Sequence, residues 1–207
     1  LISKARADGT LKHRLVWDFL RSGTNGHIRL SERIVLPRIQ DAAHAAVKLL
    51  QHGFDGAELE WLVLDFADAF HHIWLQRRYW KLNCAKVGSK FMVFPRLTFG
   101  AKSCPNLWGR IAAAIGRATA ALVWGTPVDV QIYVHDPLIA VCGRLEERNL
   151  HLFTVLVWFM LLNFDMSWPK ACLGMSIDWI GAHFSNDGVG VHVGIPEKKV
   201  ADLTKEI

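Results

Sequence analysis

The stretch WLVLDFADAF, residues 61–70, decides how the rest of the chain is read. Its first part, WLVLDF, is nearly all apolar and too short for a helix. That is the pattern of a strand buried on both faces in the middle of a sheet. Asp65 stands at the end of this strand, just before the small and aromatic residues Ala67, Asp68, Ala69 and Phe70. A second stretch, VDVQIYVHDPLIAV at 128–141, reads as two strands, 128–134 and 138–141, around a tight turn at His135 and Asp136. Two strand ends carrying carboxylates about 70 residues apart can converge at the centre of one sheet. Magnesium takes oxygen ligands, and paired carboxylates at strand ends suit two-metal phosphoryl transfer. Helix capping by Asp65 or Asp68 and a turn role for Asp136 account for the same residues.

Working outward, residues 12–19 are strand-like and SGTNGH (22–27) is a loop. A helical pattern runs over about 32–52, interrupted near Pro37 and clearest at 42–50, and Gly53 and Gly56 end it. Residues 79–86 and 90–94 flank Gly88 and Ser89 as a hairpin. Residues 105–123 are alanine-rich and helical, and 145–162 form a strongly apolar helix. A second hairpin pairs 177–184 with 189–193, turning at 186–188. Helices alternate with strands, but two hairpins intrude, so the expected class is α+β with a partly antiparallel sheet.

The 207 residues are enough for one domain with a sizeable core. A hydrophobic share of 51% with 21% charged residues excludes disordered and low-complexity classes. The net charge of +5 is a mild basic excess, which favours nucleic acid as a partner only modestly. Cys84, Cys104, Cys142 and Cys172 form no CxxC pair, which argues against a zinc site. The polar start LISKARADGT contains no secretory apolar region, so an intracellular setting, cytoplasmic or nuclear, is expected. The longest apolar run, 152–162, is too short to span a membrane, and no membrane partner is expected.

In their order and spacing these segments resemble the fingers and palm of a reverse transcriptase of the retrotransposon kind, over about 12–184. LDFADAF (64–70) is similar to motif A and LTFGAKSCPNLWGRI (97–111) to motif B. YVHD (133–136) stands where the family has motif C, usually Tyr-x-Asp-Asp. NFDMSWPKACLG (163–174) is similar to motif D and DWIGAHFS (178–185) to motif E, the primer grip. Lys12, Arg14 and Asp18 resemble the opening fingers strand.

The resemblance implies a ferredoxin-like palm with partial fingers. The fingers would occupy about 1–60 and 78–96, and the palm about 61–77 and 97–207. Thumb and RNase H would lie in other parts of a larger polyprotein. The implied reaction is template-directed DNA synthesis on an RNA or DNA template with primer, from dNTPs, using two Mg2+ ions, with Mn2+ possible. Asp65, the Phe66 carbonyl and Asp136 would hold metal. Asp68 and Ala69 would lie near the triphosphate, and Phe70 would exclude a ribose 2′-OH. Lys12 and Arg14 would pair with triphosphate oxygens, although surface charges on a strand explain them equally well. Phe99 and Gly100 would let base and template approach, and Lys170 would supply charge near pyrophosphate. Trp179 and Gly181 would hold the primer end.

The resemblance breaks at His135, which replaces the family's main motif C carboxylate. Imidazole is a poor ligand for Mg2+, and the loss of a negative charge weakens a site for two dications. The implied rate loss is on the order of a thousandfold or more. A catalytically dead relic that folds and binds nucleic acid is the alternative. His71 and His72 lack a ligand spacing and receive no role.

Overall fold

The computed structural model describes residues 2–5, 9–53 and 56–205. They form two compact units, Leu1–Ile34 with Asp68–Ile111, and Val35–Ala67 with Ala112–Ile207. Helices combine with wholly antiparallel sheets, so the α+β class holds.

The second unit carries a four-stranded sheet in the order β6-β7-β3-β8. Its strands are β3 (Glu58–Val63), β6 (Val128–Tyr133), β7 (Asp136–Gly143) and β8 (Cys172–Gly174). The period-two alternation of strands sorts their side chains onto two buried faces. Leu59 and Trp61 of β3 join Leu138, Ala140 and Cys142 of β7 in one core cluster. That cluster packs on helix α2 (Ile39–Gln51), whose Ala42 and Ala46 leave space for the Trp61 indole. Ile139 and Val141 point the other way and are fully buried. Helix α4 (Leu145–Leu161) packs on β7 and β3, and buries Leu152, Val155 and Phe159. Burial on both faces is why β7 reads as a nearly unbroken apolar run after Asp136. The late residues of α3 (Cys104–Leu122) also meet the sheet, where Gly116 faces Ile132 of β6.

Arg148 of α4 ties this helix to β3. It is buried, with Nη1 donating to Glu58 at 2.9 Å and to the Gly143 carbonyl at 2.9 Å, and Nε donating to Glu60 at 3.2 Å. After β8 come β9 (Ser176–Trp179), β10 (Ala182–Asn186) and β11 (Val191–Gly194), a three-stranded sheet, and helix α5 (Glu197–Lys205).

The first unit contains β1 (Ile2–Ala5) paired with β2 (Leu11–Arg14), the one-turn helix α1 (Thr24–His27), and the hairpin β4 (Cys84–Val87) with β5 (Lys90–Val93). Among the described residues no helix is long and apolar enough to cross a membrane.

Several expected elements differ. The strand over 12–19 stops at Arg14, and only Val16 continues it, as a single bridge to Phe99. Four residues of the expected loop 22–27 form α1. The helix expected from 32 begins at Ile39, because Pro37 lacks an N–H and restricts the residue before it. The Arg38 N–H then finds the Asp41 carboxylate at 2.8 Å, closing the first turn. Residues Arg77–Leu82 are a 3-10 helix rather than strand. The expected strand 177–184 is itself a hairpin, β9 and β10, turning at Ile180 and Gly181. The motif C loop is Val134 and His135, with Asp136 already in β7 opposite Tyr133.

Truncating Arg148 would leave Glu60 partly buried and without its cation. Arg148→Ala should lower the unfolding free energy by about 3 kcal/mol, and a double change with Glu60→Leu should recover most of it. Urea denaturation checks this, and a loss well under about 1 kcal/mol for Arg148→Ala would remove the clamp from the account.

Candidate metal centre

Backbone pairing brings Asp65 between two segments that are distant in sequence. Past the end of β3, the Leu64 N–H donates to the Pro137 carbonyl (2.9 Å) and the Phe66 N–H to the His135 carbonyl (2.8 Å). On the other side the Ser167 N–H donates to the Asp65 carbonyl and the Ala67 N–H to the Asp165 carbonyl, both at 2.8 Å. The Phe66 ring anchors the segment, packing at 5.4 Å on Phe159 and at 5.3 Å on Phe164. Asp65 is thereby held with its side chain 9% exposed.

A lysine ammonium and a histidine imidazole meet this buried carboxylate. The Lys170 ammonium donates to Oδ2. His135 Nδ1 lies 3.1 Å from Oδ1, and also 3.1 Å from Asp136 Oδ1. Asp65, His135 and Asp136 each offer one ligand atom, and these atoms all lie within 4.8 Å of one another. A cavity of about 250 Å3 opens over Asp65, Asp136, Lys170 and Asp178.

Both loops beside this cluster place a β-branched residue at positive φ. Val134 has φ 54° and Ile180 φ 42°, each opening a two-residue hairpin loop. Such a residue is strained there by about 1–3 kcal/mol, and such strain tends to collect at functional sites. The hairpins are tied together by the Trp179 indole, which donates to the Asp136 carbonyl at 3.1 Å. Trp179 is itself buried, and Gly181 takes φ 85° in its turn. The Gly181 carbonyl accepts from Lys199 of α5 at 3.2 Å.

The structure thus brings together Asp65, His135, Asp136 and Lys170, with Phe66 and Trp179 behind them. Asp68, Ala69, Phe70, Phe99 and Gly100 belong to the first unit. There Asp68 is exposed with φ 48° and Ala69 is buried at the start of a 3-10 turn. The half-buried Phe70 packs on Phe99 with ring centroids 5.1 Å apart. The Phe99 carbonyl accepts from the Trp17 N–H at 3.0 Å. Gly100 has φ 107°, and an added Cβ would fall on the Trp17 carbonyl oxygen, so the chain's own packing requires glycine here. Lys12 and Arg14 lie on the backbone of β2, and their side chains fall outside the described residues. Sequence reasoning missed the engagement of both Asp65 oxygens and the strained Val134. The only sequence signal for the latter is the shortness of the link between two apolar runs.

No protein-family model matches the sequence, and no curated protein matches it. Solved structures do match. The structure of the foamy viral protease–reverse transcriptase dRH in complex with double-stranded DNA is similar at a TM-score of 0.70 and 15% identity, over 98% of this chain and 31% of that one. The prototype foamy virus protease–reverse transcriptase CSH mutant gives 0.63 and 17%, over 89% and 22%. The foamy viral protease–reverse transcriptase in complex with double-stranded DNA gives 0.62 and 15%, over 98% and 37%. The chain therefore has a reverse-transcriptase-like fold, and it spans well under half the length of these proteins.

The hydrogen bond to Asp136 raises the His135 pKa above its ordinary value, and the charges of Asp136 and Asp65 add to this against burial and the Lys170 charge. A raised folded-state pKa stabilises the fold fully below the unfolded value near 6.5, and that contribution is lost as pH rises through the folded value. In metal-free buffer the His135 imidazole should titrate above 6.5 by NMR, and Asp136→Asn should bring it down. A value below 6.5 in the parent chain would contradict the contact.

Proposed function

We propose that this chain is the fingers and palm of an RNA-directed DNA polymerase of the retroelement kind, with a metal centre altered at His135. The carrying observation is the meeting of Asp65, His135 and Asp136 at adjoining strand ends of a reverse-transcriptase-like fold. The fingers would occupy about 1–60 and 78–96 and the palm about 61–77 and 97–207, bounds that the two compact units, 1–34 with 68–111 and 35–67 with 112–207, do not follow.

In this reading Asp65, the Phe66 carbonyl and Asp136 hold divalent ions, which would activate the primer 3′-OH and neutralise phosphate charge during in-line attack on a dNTP. The donor set fits a divalent ion. Its one imidazole and two carboxylates suit Mn2+ better than Mg2+, which prefers oxygen donors only. Lys170 already donates to Asp65 Oδ2, so it must withdraw before that oxygen can bind an ion. A released Lys170 is free to meet the leaving pyrophosphate. Lys12 and Arg14 bind the triphosphate, with Asp68 and Ala69 beside it. Phe70, backed by Phe99, excludes the 2′-OH, and Gly100 leaves space for the template. Trp179 and Gly181 shape the hairpin that holds the primer. The same His135 supports a second reading, in which the chain is a relic that binds nucleic acid without catalysis.

The test is primer extension with the domain joined to a reverse-transcriptase thumb. The parent sequence should incorporate little dNTP with Mg2+ and somewhat more with Mn2+. His135→Asp should raise Mg2+-dependent incorporation by orders of magnitude. Robust Mg2+-dependent synthesis by the parent would contradict the assignment of His135 as the limiting residue. No synthesis by the repaired protein would favour the relic.

In the repaired protein Phe70→Ala should admit ribonucleotides, because only the ring's volume excludes the 2′-OH. An unchanged dNTP/rNTP ratio would remove Phe70 from that role.

A further inference from the structure

From Ala69 to Ile111 the chain carries eight Lys and Arg residues and no Asp or Glu. Of these eight, Arg110 alone is paired with a described carboxylate, that of Glu32. The same segment exposes large aromatic rings, each beside a cation. Trp74 is 62% exposed, and the Arg96 guanidinium lies 4.3 Å over its ring. Tyr79 is 43% exposed, with the Arg78 guanidinium at 4.7 Å. Phe91 is 70% exposed and directly opposite Lys86 in the β4–β5 register, so both stand on one face of the hairpin.

The backbone under the largest of these rings is fixed. The Leu97 N–H donates to the Ile73 carbonyl at 3.0 Å and the Leu75 N–H to the Pro95 carbonyl at 2.8 Å, which makes Trp74 and Arg96 bridge partners. Arg96 Nη1 donates to the His71 carbonyl at 2.9 Å, and Asn83 donates to the carbonyls of Phe94 and Arg96. An indole whose backbone is fixed and whose ring already lies beside a guanidinium pays little entropy when another planar group stacks on it. Unpaired cations attract a polyanion, and exposed rings accept unstacked bases regardless of sequence. An acidic protein would match the charge but would leave the rings without planar partners, so the chemistry favours nucleic acid.

We infer that the surface around Trp74–Arg96, Tyr79–Arg78 and the β4–β5 hairpin binds single-stranded nucleic acid by base stacking between cations. This deepens the proposed function, since it names the strand-binding surface of a chain read as a polymerase. It does not require the metal centre to work.

The test is fluorescence anisotropy of the 207-residue chain with labelled 16-nucleotide single strands of RNA and DNA and a 16-base-pair duplex, in EDTA. The probes carry no primer terminus and the buffer no divalent ion, so failure here would leave the catalytic reading standing. Single strands should bind more tightly than the duplex. Trp74→Ala should raise their Kd about tenfold, whereas Trp74→Phe, which keeps a ring, should change it less than threefold. Arg77→Gln and Lys81→Gln should each lower the salt slope by about 0.7. Trp124→Ala, which removes an 87% exposed ring outside this segment, should leave binding unchanged. A Trp74→Ala protein of unaltered circular dichroism that binds within twofold of the parent would overturn the inference, as would equal affinity for the duplex. As a second readout, a strand containing 4-thiouridine should crosslink between Ile73 and Arg96, and crosslinks confined to other segments would also overturn it.

Discussion

A carboxylate buried at the edge of an apolar sheet must be neutralised, and the second unit is organised around that requirement at Asp65. Removing an ionised carboxylate from water costs several kcal/mol unless cations or donors replace the solvent. Lys170 supplies a cation at one oxygen and His135 an imidazole nitrogen at the other. Backbone bonds on both sides, to His135 and from Ser167, leave the carboxylate little freedom to turn away. In the proposed reading an arriving ion must compete with Lys170, which already donates to Asp65.

His135 changes the meaning of this competition. A carboxylate at that position would add negative charge, and repulsion among three acids would hold the centre open for dications. An imidazole between Asp65 and Asp136 instead offers the two acids a shared donor. In the proposed polymerase reading, His135 therefore weakens the demand for metal and partly satisfies Asp65 and Asp136. The strain at Val134 and Ile180 persists because Trp179 locks one hairpin against the other.

Much of the sheet could be read from the sequence because both its faces are buried. Runs such as 61–64 and 138–142 then have to be continuously apolar, and the turns between them stand out. Helix α4, strongly apolar, and helix α3, alanine-rich, were legible from their composition, although each leaves one face exposed. What could not be read depends on contacts between distant residues. The start of α2 is set by Pro37 and Asp41, and the split of 177–184 into two strands by a turn that carries positive φ at Ile180 as well as Gly181. At the site, strand-end positions for Asp65 and Asp136 followed from local pattern. The ion pair from Lys170, 105 residues away, did not. Gly100 was read as an approach for a ligand, whereas its nearest constraint is the Trp17 carbonyl.

The central claim is that Asp65 exchanges protein cations for a divalent ion at one place. Anomalous diffraction from crystals soaked in Mn2+ tests it most directly. The account predicts a peak within bonding distance of Asp65 and Asp136, with the Lys170 ammonium displaced from Asp65. A peak elsewhere, or Lys170 still seated on Asp65 at full Mn2+ occupancy, would contradict it.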